Sequence, residues 1–181
     1  RRWETLATWA VFLVEYGLDP ENQLCTDDFA RHHPHKTNLS IKAIMGIASY
    51  AKMADMLGKT DVAEKYMNIA KKMAVEWKKM ANDGDHYRLT FDQPGTWSQK
   101  YNLVWDKLLN FNIFDPNIAK KEIAYYLTKQ NTYGLPLDNR KTYSKSDWII
   151  WTSTLAENDD DFHAIADLVY KYADETPSRV P

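Results

Sequence analysis

Apolar positions along this chain fall into seven runs with helical spacing, and the runs are of two kinds. Trp3 to Tyr16 is apolar nearly all round, with Leu6, Trp9, Ala10, Phe12, Leu13 and Val14, and it stops at Gly17. A helix with so little polar surface requires cover on more than one side. Asn38 to Leu57 spreads Leu39, Ile41, Ile44, Met45, Ile47, Ala48, Met53 and Met56 around the wheel and reads as the most buried helix. The next run differs. Val62, Tyr66, Ile69, Ala70, Met73, Trp77 and Met80 recur at three and four, while Lys71, Lys72, Lys78 and Lys79 take the opposite side, with Thr60 or Asp61 as the expected cap.

The alternation continues. Asn102 to Asn110 is short and apolar, and Asp115-Pro116 is an N-cap and first-turn pair that opens an amphipathic helix running to Gln130. Ser146 is the expected cap of an apolar helix carrying Trp148, Ile149, Ile150 and Trp151. Asp160 or Asp161 then starts an amphipathic helix with Phe162, Ile165, Ala166, Val169, Tyr170 and Ala173 on one face. Apolar helices walled on all sides, alternating with helices that keep one face in water, are what the inner and outer layers of a set of helical hairpins produce. The expectation is an all-α fold of one domain over residues 1–181, as an (α/α) toroid or part of one. His86 to Phe91 is the one stretch expected to form a short strand.

Three loops feed the starts of the apolar helices. Residues 18–37 form a long loop with Cys25, Asp27, Asp28, Phe29, His32, His33 and His35, and loops of that length are commonly functional. Residues 95–101 lead into the helix at Asn102, and 131–145, turning at Gly134, Pro136 and Asn139, lead into the helix at Ser146. These junctions are expected to gather at one end of the helical assembly.

Lys+Arg 23 against Asp+Glu 25 gives a net charge of −2, which leaves no basic surplus for phosphates and argues against a nucleic-acid partner. No apolar run approaches the ~18–20 residues of a membrane span, and no signal peptide is visible. The lone Cys25 excludes an internal disulfide. Arg1-Arg2-Trp3 at one end and Arg179-Val180-Pro181 at the other do not read as natural termini, so a piece of a larger protein is expected.

Several strings carry a family resemblance: LDPENQLCTDDF (18–29), NLSIKAI (38–44), GTWSQKYNLVWD (95–106), YGLPLD (133–138) and KSDW (145–148). Together they resemble the six-hairpin helical domain of the glutaminase A family of bacteria and fungi, over essentially the whole chain. Residues 30–36 (ARHHPHK) depart from the small, Gly/Ala-rich spelling expected between Phe29 and Asn38. The resemblance implies a toroid shaped like many glycoside hydrolases, in a larger secreted or periplasmic protein with a β-rich region before it. It also implies hydrolysis of L-glutamine to glutamate and ammonia; separately, no cofactor is expected.

Such hydrolysis needs a proton donor, an activated water or nucleophile, and groups that hold the substrate. Asp27, Asp28, Asp106 and Asp138 are the candidate catalytic carboxylates. If the adjacent Asp27 and Asp28 are both confined, repulsion raises one of them and suits it to acid catalysis. Asp106, inside an apolar helix, either pairs with Lys100 or Lys42 or faces a cavity. Lys100, Arg140 and Lys145 are candidates to hold a substrate carboxylate, Arg140 by a two-point grip. Trp97, Tyr101, Trp105 and Trp148 are candidates for a stacking wall, which suits a sugar ring better than glutamine. Cys25 as a nucleophile and the three histidines as metal ligands lack supporting motifs. A carbohydrate-active domain and a non-catalytic helical module packing on a partner domain are the alternatives.

Overall fold

A computed structural model describes residues 2–21, 23–28 and 31–177; expectations placed on Arg1, Asn22, Phe29, Ala30 and 178–181 lie outside them. Among the described residues the regular elements are all helices, with no strand. The helices are α1 (Arg2–Tyr16), α2 (Thr37–Met56), α3 (Thr60–Ala81), α4 (Val104–Leu108, preceded by a 3-10 turn at Tyr101–Leu103), α5 (Pro116–Leu127), α6 (Ser146–Ser153) and α7 (Asp159–Glu175).

α2 is the central element. Twelve of its residues are buried, against one, Ile165, on α7, and that contrast separates an inner helix from an outer one. α1 and α3 pack on α2, and α6 pairs with α7. Gly58 makes the α2–α3 hairpin tight: at φ +70 its amide donates to Asp55 O and the following Lys59 amide reaches back to Ala54 O, both at 2.9 Å. This is the left-handed helix stop that a side chain disfavours. The return of α3 is fixed by Trp77, whose buried indole N–H donates to Thr37 O at 2.8 Å. Gly17 ends α1 for a steric reason, since a Cβ there would lie 2.4 Å from Leu13 O and 2.7 Å from Ala43 Cβ on α2.

Three expected caps are displaced. Lys59 and Lys145 occupy the cap positions of α3 and α6 without side-chain caps, so Thr60 and Ser146 are the first helical residues. α7 is capped by Asn158, which accepts from the Asp161 amide at 2.8 Å and donates to its carboxylate at 2.9 Å. That reciprocal pair satisfies the Asp161 amide in the first turn, so Asn158 is the cap and Asp160 and Asp161 lie inside the helix. The Asp115-Pro116 start is as expected, with Asp115 accepting from the Asn117 amide at 2.9 Å.

The strand expected over His86–Phe91 does not form; Lys36–Thr90 and Asn82–Tyr87 are isolated bridges. The reason lies in where its amides go. Tyr87 N donates to the Glu122 carboxylate at 2.8 Å and Leu89 N to Thr96 Oγ1 at 3.3 Å, so no partner chain receives them. No helix among the described residues is long and apolar enough to cross a membrane.

Candidate functional site

The three loop-to-helix junctions meet through specific contacts. The first joins the second where Asn102 donates from its backbone and its side chain to Asn38, at 3.3 and 3.1 Å, and where the Thr26 and Tyr101 hydroxyls pair at 3.1 Å. The second joins the third as two antiparallel strips: Gln99 N to Leu137 O at 2.8 Å, Trp97 N to Asn139 Oδ1 at 3.0 Å, and Asn139 N to Trp97 O at 3.2 Å. Gln99 then clasps the third loop. Its Nε2 donates to Leu135 O, Pro136 O and Ser144 Oγ, while Thr152 on α6 donates to its Oε1. Arg140 closes the circuit by donating to Arg31 O at 2.7 Å.

The charged groups at this meeting point form a frame. Lys36, at the foot of α2 and almost fully buried, donates to Asp27 Oδ1 at 2.5 Å and to Asp28 Oδ1 at 2.8 Å. Asp28 also accepts from Cys25 N at 2.7 Å and pairs with His32 Nδ1 at 3.1 Å. Partial burial pushes the Asp28 carboxyl up, but Lys36, the Cys25 amide and His32 outweigh it and hold it below the ordinary carboxylate range. The repulsion expected to leave one of this Asp pair protonated is therefore quenched at Asp28. Lys36 stays above its ordinary value because both carboxylates outweigh the cost of its burial.

Asp138 is buried and held on two edges by Arg140, Nε to Oδ1 at 2.9 Å and Nη2 to Oδ2 at 2.5 Å. The two-point grip expected for a substrate is spent on a neighbour. His33 sits within the field of Arg140, Lys36, Arg31 and Asp138; burial first, then those cations, lower its pKa and keep the imidazole neutral. Cys25 is pushed up to about 12 by burial and then by Asp27, so it is no thiolate at neutral pH.

Other expected site residues are placed elsewhere or used internally. Lys100 is fully buried, and its ammonium donates to Tyr87 O and Ser98 O at 2.9 Å each and to Glu122 at 3.3 Å, which leaves no proton for a ligand. Tyr101 and Trp148 stack on one another at 4.3 Å, Trp105 packs edge-on to Trp151, and Trp97 packs edge-on to Tyr125. The wall is thus mostly occupied by itself, with the exposed Lys145 ammonium 4.5 Å over the Trp148 ring. Asp106 lies apart from the frame and pairs with neither Lys100 nor Lys42. Its two oxygens accept from the Ile113 and Phe114 amides at 3.2 Å each, and it borders a cleft of about 500 Å³ between α4, α5 and the loop from α6 to α7. His32 and His35 face different carboxylates, Asp28 and Asp19.

Lys36, Gln99 and Glu122 were not singled out from the sequence, and His33 entered there only among the histidines weighed as metal ligands. One signal was present: Glu122 lies one turn from both Ile118 and Tyr126 on the buried stripe of α5, and an acid there demands a buried partner.

The glutaminase A six helical-hairpin domain family matches residues 1–181, the whole of the chain. This chain belongs to that family. Within the six-hairpin family, it is 34% identical over 169 residues to a protein of Arthroderma benhamiae named probable glutaminase, covering 77% of this chain and 20% of that protein. It is 33% identical over 186 residues to glutaminase A of Aspergillus oryzae, covering 99% of this chain and 26% of the relative. The domain therefore spans about a quarter or less of the proteins it matches.

Proposed function

We propose that this six-hairpin domain supplies part of the active site of a glutaminase, at the frame where its three junctions meet. The observation that carries the reading is the convergence of Asp27, Asp28, Lys36, His33, Asp138 and Arg140 from two separate loops onto one spot, in a chain whose relatives are named glutaminases. The hydrolysis joins a water oxygen to the γ-carboxamide carbon and breaks its C–N bond, giving a carboxylate and ammonium. In this reading Asp28, held ionised, binds the α-ammonium of glutamine. His33, held neutral, takes a proton from the attacking water and passes it to the leaving nitrogen. Lys36 and Arg140 keep the carboxylates fixed and bias the field toward the oxyanion that forms.

Ammonia release from glutamine by the full-length protein tests this. His33→Gln is expected to lower kcat by about a hundredfold or more, within the usual range for a lost general base. Asp28→Asn is expected to raise KM more than it lowers kcat. Undiminished activity in both variants, and in Asp138→Asn, would assign the chain to the supporting role of a non-catalytic module.

A second reading has one observation of its own. A groove of about 1120 Å³ runs between the 130–147 segment and α7, lined by the partly exposed rings of Tyr133, Tyr143 and Tyr172 together with Asn131, Ser144 and Asp147. Exposed rings beside polar side chains suit a sugar. Release of reducing sugar with no ammonia would establish that alternative.

A further inference from the structure

α1 has two apolar sides and only one of them is used. Trp3, Ala10, Leu13 and Gly17 face α2: Trp3 stacks on Tyr50 at 4.7 Å, and the α1 terminus sits so close that a Cβ on Gly46 would meet Leu13 at 2.9 Å. The far side carries Trp9, Phe12 and Tyr16 at helical spacing, with Val11 beside them, exposed at 62%, 44%, 49% and 54%. α3 also turns a face to water, and that face is lysine and glutamate, as for an ordinary outer helix. α1 presents rings in the equivalent place.

We propose that the outer stripe of α1 is an intramolecular docking surface, covered by a helix from the part of the parent polypeptide outside these 181 residues. Two observations select that occupant. First, six hairpins require twelve helices, the described residues hold seven, and the relatives are roughly four to five times as long as the stretch they share with this chain. Second, the patch is too small for a stable dimer. Taking aromatic side chains at ~150–250 Å² each, the exposed fractions leave roughly 400 Å² of apolar surface, about half of the ~800 Å² per partner of a standard interface. A helix already tethered in the same chain escapes the association entropy that a separate partner must overcome. The stripe at i, i+3 and i+7 is also the pattern that receives another helix by ridge-into-groove packing.

Hydroxyl-radical footprinting of the full-length protein tests the proposal without altering it, with each rate normalised to the denatured protein. The expected result is that Trp9 is oxidised as slowly as buried Trp77 in a monomer, with protection unchanged over a hundredfold range of concentration. Trp9 reacting as an exposed residue in the full-length monomer would overturn the proposal. So would protection that appears only as the protein dimerises, which would assign the stripe to a second copy. Trp9→Cys bearing a photo-crosslinker identifies the occupant: attachment to a peptide of the same molecule outside residues 1–181 is expected, and attachment within 1–181 or to another molecule contradicts it.

Discussion

Arg140 meets Asp138 edge-on, through Nε at 2.9 Å and Nη2 at 2.5 Å, and places its remaining nitrogen on Arg31 O at 2.7 Å. One guanidinium therefore fixes a carboxylate in its own turn and ties that turn to the loop that carries Asp27 and Asp28. Removing one partner of such a buried pair costs about 3 kcal/mol. Arg140→Gln in the full-length protein is expected to lower stability by about that amount in denaturant titration. Arg140→Lys recovers only part of it, because an ammonium cannot span both carboxylate oxygens.

Lys36 is the counter-charge for two acids at once. Lys36→Met leaves Asp27 and Asp28 facing each other and is expected to cost about 3–5 kcal/mol. Asp28 titrates low in the fold, so the stability it contributes is fully present above the ordinary value of about 3.9 and is lost as pH falls through its lowered one. In Lys36→Met the Asp28 carboxyl carbon should titrate higher by NMR, and acid unfolding should begin at a higher pH.

Asp106 has the opposite slope. Burial raises it, and the Ile113, Phe114 and Asn112 amides only partly offset this, so folding favours its protonated form. Its contribution is complete below about pH 3.9 and declines as pH rises toward its raised value. Carboxyl NMR of the full-length protein should find Asp106 titrating above Asp28, and the reverse order would contradict the placement.

Cys25 is expected to resist alkylation. With its thiol at about 12, iodoacetamide at pH 8 should label it at least a hundred times more slowly than in the denatured protein. Cys25→Ala should keep at least half of the activity, and a complete loss would restore the thiol as a nucleophile.

Lys100 and Glu122 are expected to behave as one unit. Burial pushes the Lys100 ammonium down while Glu122 pulls it back, and Glu122 also holds Tyr87 N and the Tyr126 hydroxyl. Lys100→Met alone strands a carboxylate in the core, at about 3–5 kcal/mol. The double variant with Glu122→Gln should cost less than the two single losses combined, a coupling that a double-mutant cycle measures.

The helices were legible because their signal is local. Periodicity located all seven, and Asp115-Pro116 needed only its own neighbours to mark the start of α5. The site was legible as segments and illegible as side chains. That three loops converge follows from each preceding an inner helix. That Lys36, and not Lys100, serves the acidic pair depends on contacts that no spacing encodes, such as the 22-residue separation of Lys100 from Glu122. Aromatics at the helix starts misled for a related reason: Trp148 and Tyr101 fill each other's faces, 47 residues apart in the chain but only 4.3 Å apart in space.

Gln99 has a tip that donates on one side, to two carbonyls and a hydroxyl, and accepts on the other, from Thr152. Glutamate has the same outline with the donor side erased, so a single deamidation would set a negative charge against the Leu135 and Pro136 carbonyl oxygens with hardly any change in shape. Chemical ageing at this one amide would thus unfasten the strip that carries Asp138 while the helices stayed intact, and the charged frame would come apart before the fold did.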